Sequence, residues 1–175
     1  MHSVLTAVLL STLLLSGCGY HNPYMQPNGS ALPPRSIYLD IWPNQTTELG
    51  LESEIFRALI HWFKSAPSIQ VTHNPTEADY LLNGEIQSIE LPALAFGQYD
   101  QAVEIRVILK ISFLIKEKAT GKILHEQKDL TFEEAARVGA NAATSRDNKR
   151  QALDLITADI AERVYLDALE ALYPR

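Results

Sequence analysis

The chain has 175 residues, 46% of them hydrophobic, and a single cysteine. That length suits one ordinary domain with a real apolar core, and the lone cysteine excludes a disulfide framework. With 15 Lys and Arg against 21 Asp and Glu, the net charge of -6 leaves no broad cationic field for nucleic acid. No nucleic-acid partner is expected, and any anion must meet a local basic cluster.

Residues 4–15 form an apolar run closed by Leu15-Ser16-Gly17-Cys18. The run has signal-peptide length and is too short to span a bilayer. Small residues directly ahead of a cysteine resemble the lipobox read by the lipoprotein signal peptidase, so cleavage before Cys18 and its acylation are expected. A lone cysteine is more often a buried, inert thiol, but its place straight after the apolar run favours the anchor. Only Met1, His2 and Ser3 precede that run, without the Lys or Arg that usually opens a leader. Each buried acyl methylene contributes about 0.8 kcal/mol, so several chains on Cys18 would hold the protein on a membrane. Gly19 follows, where an aspartate would retain such a lipoprotein in the inner membrane. The expected location is the outer membrane, lipid-anchored and facing the periplasm.

Residues 19–35 hold Pro23, Pro27, Pro33 and Pro34 with no apolar period, which reads as a tether. Seventeen residues reach about 55 Å when extended. The expected layout is a signal peptide at 1–17, a lipidated tether at 18–35 and a folded domain at 36–173.

In that domain Ile37, Leu39 and Ile41 alternate with Tyr38, Asp40 and Trp42 until Pro43, the two-residue period of a strand. Residues 44–47 supply turn and capping chemistry. Leu51, Ile55, Ala58, Leu59, Trp62 and Phe63 then recur at helical spacing, ending near Pro67. Tyr80, Leu82, Gly84 and Ile86 alternate again, but Ile89 and Leu91 fall out of phase, which predicts a bulge near Gln87 or Ser88. Val103, Ile105, Val107, Leu109, Ile111, Phe113 and Ile115 then mark a long strand. Lys118-Ala119-Thr120-Gly121 reads as a hairpin turn, with Gly121 free to take a positive φ, and 123–132 as the antiparallel return strand. Ser145 or Asp147 can cap a last helix, whose stripe of Ala152, Leu153, Ile156, Ile160, Val164 and Ala168 runs to about Leu172.

The expected fold is therefore α+β in the order β-α-β-β-β-α. Two α-helices pack on one face of a mixed, mostly antiparallel four-stranded β-sheet. The opposite face of the long strand shows Glu104, Arg106, Ile108, Lys110, Ser112, Leu114 and Lys116. An ordinary solvated face accounts for these, since isolated exposed apolar residues are normal. The sharper reading is a partner surface of Arg106, Ile108, Lys110 and Leu114, joined by Phe96 and Tyr99 from the preceding loop.

Arg146, Lys149 and Arg150 open the last helix. At the positive end of the helix macrodipole each cation is unfavourable by about 0.3 to 1 kcal/mol. A phosphorylated ligand would offset that, because arginine grips phosphate bidentately while lysine acts as a point charge. The plain alternative is a solvated cluster neutralised by Asp147 and Asp154. His2, His21, His61, His73 and His125 are scattered without metal-ligand spacing. His61 reads as a core histidine and the others as surface or interface residues. No nucleophile elbow, phosphate-binding glycine loop or second cysteine is present. No catalytic residue, metal or cofactor is expected.

Several segments together resemble the LptE family of lipopolysaccharide-assembly lipoproteins. They are Cys18-Gly19-Tyr20-His21, Ala78-Asp79-Tyr80-Leu81-Leu82-Asn83-Gly84-Glu85-Ile86, the strand 103–115 with its hairpin, and Arg146-Asp147-Asn148-Lys149. The resemblance implies a two-helix, four-strand domain that helps assemble and plug a large outer-membrane β-barrel, an LptD-like lipopolysaccharide translocon. It implies contact with lipopolysaccharide in transit, membrane attachment through the acyl chains, and no reaction. The family's lipid-contacting basic residues lie in the loop between the long central strands and near the start of the last helix. Loop 92–101 holds no Lys or Arg here, whereas Arg146 fits the second place. The competing reading is an outer-membrane lipoprotein that regulates a peptidoglycan synthase or serves a secretion channel. A lipid-anchored hydrolase would need Asp, His or Ser side chains converging in a cleft.

Overall fold

The computed structural model describes residues 34–174; the expected leader, Cys18 and the expected tether up to Pro33 lie outside the described residues. The elements run β1 (Arg35–Leu39), α1 (Leu51–Ser65), β2 (Ile69–Thr72), β3 (Tyr80–Glu90), β4 (Ala93–Phe96), β5 (Ala102–Glu117), β6 (Ile123–Arg137) and α2 (Ala142–Leu172). Among the described residues the class is α+β with two helices, but the sheet has six strands, mixed parallel and antiparallel, where four mostly antiparallel strands were expected. β2 and β4 are the additions.

β1 pairs in parallel with β2 and β3, while β3, β4 and β6 all run antiparallel to β5. Ile105 faces Ala93 of β4 and Ala136 of β6; Ile108 faces Glu90 of β3 and Glu133 of β6. β3 and β4 therefore lie end to end along one edge of β5. The break falls at Leu91 and Pro92, since proline has no N–H for a ladder. The Pro92 carbonyl still accepts from Arg106 N at 2.9 Å.

The inward row of β5, Val107, Leu109, Ile111, Phe113 and Ile115, is buried. It joins Ile37, Leu39, Leu82 and Ile86 with the stripes of both helices in one apolar cluster, so α1 and α2 cover the same face. Each such large side chain contributes about 1.5 to 3 kcal/mol on burial. Tyr165 of α2 meets Phe63 edge-on and Trp62 at a tilt, each at 5.5 Å between ring centroids, and ties the helices together.

The expected alternation fails at the end of β1. Ile41 is 57% exposed and Trp42 only 2%. Leu39 pairs with Leu82 and Asn44 bridges to Ile86, so one extra residue is accommodated between them and the facing reverses. Gly84 makes room for the indole, because a Cβ there would lie 2.5 Å from a Trp42 ring carbon. The ring then stacks on Phe113 at 6.3 Å.

β3 slips register between Ile86 and Ser88, and Gly121 takes φ 69 in the β5–β6 turn. α1 starts after Gly50, at φ 90, with no side-chain cap. The α2 cap is Asn141, whose Oδ1 accepts from Thr144 N at 2.9 Å, ahead of both Ser145 and Asp147. At the other end of α2, the Arg35 guanidinium lies 4.9 Å from the Tyr173 ring centroid and 5.6 Å from that of Tyr80. The Tyr173 hydroxyl donates to Ser68 O at 2.7 Å, and burial pushes its pKa up.

Candidate functional site

Alternation along β5 sends its even-numbered side chains to the face that neither described helix covers. Arg106, Ile108, Lys110, Ser112, Leu114 and Lys116 are all half-buried there. Ile108 sits between Glu90 and Glu133 on the flanking strands, and Leu114 between Asn83 and Glu126. Arg106 Nη1 donates to Glu133 at 3.4 Å, a loose pair in water worth little to stability. Ser112 donates to Glu85 Oε1 at 3.1 Å. The arrangement is two aliphatic side chains in a frame of cations and carboxylates, on a rigid paired strand.

Phe96 and Tyr99 stand apart from this row. They belong to the arm formed by β4, the turn 97–101 and the start of β5, where Gly97 N donates to Gln101 O at 2.8 Å and Asp100 takes φ 57. Phe96 is 60% and Tyr99 87% exposed, and Leu91, Leu94 and Val103 nearby in the chain are exposed too. These three were missed. The signal was present, since Asp100 is the one charge in residues 91–103.

The basic trio lines a cleft of about 300 Å³ between the start of α2 and the segment entering α1. Arg146, Lys149 and Arg150 share that lining with Glu48, Glu54 and Asp147, so the cleft is of mixed charge. Lys149 Nζ meets Glu48 Oε2 at 2.7 Å, whereas Arg146 and Arg150 are exposed. The acidic wall is placed by Asn44 and Thr46. Asn44 Nδ2 donates to Glu48 O at 2.8 Å and to Glu52 Oε2 at 2.9 Å, and Thr46 Oγ1 accepts from Glu48 N at 3.1 Å. The Asn44 bond holds the Glu52 carboxyl below its usual range. Because α2 begins at Ala142, the trio lies beyond the first turn, where the macrodipole fades. The macrodipole therefore does little to draw an anion here, and the exposed guanidinium groups are what is left to bind one.

His125, rather than the exposed His61, is the histidine packed into the fold. It stacks on Phe113 at 5.7 Å, with Nε2 3.3 Å from the buried Asp167 of α2, which also takes Arg163 Nε at 3.0 Å. Among the described residues no three His, Cys, Asp or Glu side chains gather as a metal site. No described helix is long and apolar enough to cross a membrane.

Compared with known proteins, residues 34–168 match the model of a family described as LptE, lipopolysaccharide-assembly. No curated protein matches the chain. Among solved structures, rare lipoprotein B from Shewanella oneidensis is similar at TM-score 0.58 and 12% identity, over 79% of this chain and 96% of that one. Lipoprotein B from Nitrosomonas europaea gives TM-score 0.58 at 10% identity, over 82% and 87%. A minor lipoprotein from Acinetobacter baumannii gives TM-score 0.51 at 14% identity, over 77% and 92%. At such identities the structures share a fold.

Proposed function

We propose, from the premise that this chain belongs to the LptE family of lipopolysaccharide-assembly lipoproteins, that it helps assemble and plug an LptD-like β-barrel. Acyl chains on Cys18 would hold it in the outer membrane, facing the periplasm. No catalytic step is part of this reading. The observation that carries it is the bare outer sheet face. Both helices pack on the inner side, and among the described residues no helix lies over Arg106, Ile108, Lys110 and Leu114. The interior of an outer-membrane barrel is polar. A charged face with two aliphatic anchors suits a plug seated against such a wall better than it suits lipid. Phe96 and Tyr99 on the β4–β5 arm would extend the same contact. Lipopolysaccharide would meet Arg146 and Arg150, while Lys149, bound to Glu48, steadies the cleft.

A mild-detergent pull-down of the tagged, lipidated protein from native membranes tests the partner. A stoichiometric large chain with heat-modifiable migration is expected; a peptidoglycan synthase or a secretin in its place would overturn the reading. Reversing the charges of Arg146 and Arg150 should weaken lipopolysaccharide binding more than reversing Arg57 and Lys64, which are exposed on α1. Equal losses would make the basic cluster generic surface.

A further inference from the structure

The outer face of the sheet is dented. Between Asn83, Glu85 and Gln87 of β3 and the small Ser112 of β5, a trough of about 420 Å³ runs on to β6, bounded by Leu114 and the bulge of β6 at Asp129. Its polar groups are mostly hydrogen-bond acceptors. Asn83 Nδ2 donates to Asp40 Oδ2 at 3.1 Å, and Gln87 Nε2 donates to Glu85 Oε1 at 3.2 Å. Flipping either amide would turn its carbonyl against a carboxylate, so the carboxylates fix both orientations. The opposite ends, Asn83 Oδ1 and Gln87 Oε1, are buried atoms with no donor. Buried acceptors are rarely left so.

Charge points the same way. Glu85, Glu126 and Asp129 line the trough against one cation, Lys128, whose exposed Nζ lies 3.3 Å from Glu126. Glu85 is held in place by Ser112 and by Gln45 Nε2 at 3.3 Å. One fixed carboxylate with two more at the rim, two unused carbonyls and an aliphatic wall make a receptor for a group that donates only.

We propose that this trough receives a cationic side chain, an arginine in preference to a lysine, presented by a protein partner seated on the outer face. The inference rests on the outer face being the partner surface. A guanidinium offers five donors in a plane and no acceptor, and its stem can lie along Leu114 while the head meets the carbonyls and Glu85.

The test uses the full-length lipidated protein in native membranes with p-benzoylphenylalanine at Leu114, in the trough wall, or at Ile108, on the same face outside it. Adducts are read by mass spectrometry, and each variant's melting is checked first. Both positions should capture the same protein, and the adduct at 114 should fall beside an arginine or lysine. Changing that residue to glutamine should lower the yield at 114 about tenfold or more. Glu85→Lys paired with the opposite change in the partner should restore it. Capture at 108, with an adduct at 114 on lipid, on a stretch without a cation, or nowhere, overturns the trough but keeps the face. Capture at neither position overturns both.

Discussion

On the inner side of β5, Val107, Leu109, Ile111 and Ile115 are wholly excluded from water, whereas Ile108 and Leu114 on the outer side remain half-buried among Arg106, Lys110 and Lys116. The side chains are chemically alike. What separates them is the pair of described helices, which close over one face and not the other. Aliphatic residues at alternate positions therefore specify a strand, while the cations between them specify which face stays in contact with water or with a second molecule.

Four substitutions break or sharpen this contrast. Ile111→Asp puts a carboxylate amid the core and removes a fully buried side chain, a cost of about 5 kcal/mol or more, comparable with a domain's whole stability. Loss of cooperative melting and of near-ultraviolet dichroism is expected, and an unchanged melt would reverse the assignment of faces. Gly84→Ala probes the boundary between the faces. Its Cβ would meet the Trp42 ring at 2.5 Å and Ser112 O at 2.8 Å, and overpacking of this kind costs about 1 to 3 kcal/mol, read as a shift in denaturant midpoint. Ile108→Lys, three residues from Ile111 and set between Glu90 and Glu133, should cost about 1 kcal/mol or less in stability yet abolish co-purification of the proposed barrel.

The smallest effect lies at the rim. Ser36 donates to Asp79 Oδ2 from Oγ at 2.5 Å and from N at 3.1 Å, which holds the Asp79 carboxyl below its ordinary value. A carboxyl lowered in the folded state stabilises fully above its unfolded pKa, and the contribution is lost as pH falls through the folded one. Asp79→Asn should therefore lower stability slightly near neutral pH, with the gap to the parent closing as pH falls through and below the ordinary carboxylate range. A gap that widens on acidification would put the stabilisation elsewhere.

Much of this architecture was readable from the chain because the long elements repeat their signal. β5 announces itself over seven alternate residues, and the α2 stripe from Ala152 to Ala168 is buried as its spacing requires. The short elements carry no such signal. β2 is four residues with one buried side chain, and β4 is Ala-Leu-Ala-Phe after a proline; each is a strand because a neighbour pairs with it. Trp42 and Ile41 exchanged faces at an extra residue between Leu39 and Asn44, and the room for the indole comes from Gly84, on another strand. The start of α2 was missed because Asn141 sits in a run of small residues that reads as a connector. At the basic cleft, the three cations could be named, but the carboxylate opposite Lys149 comes from Glu48, far off in sequence and set by an asparagine turn.

The Arg35 clamp has a topological consequence. Since the Arg35 guanidinium of β1 packs on the rings of both Tyr80 and Tyr173, the two ends of the described residues lie at one corner. A brief linker could join residue 174 to residue 34, and new ends could be opened at the exposed Lys118–Gly121 turn. Such a circular permutant would keep every strand pairing while cutting the covalent link between β5 and β6. Its folding should slow, because the chain would trade its most local hairpin for a pairing made across nearly its whole length.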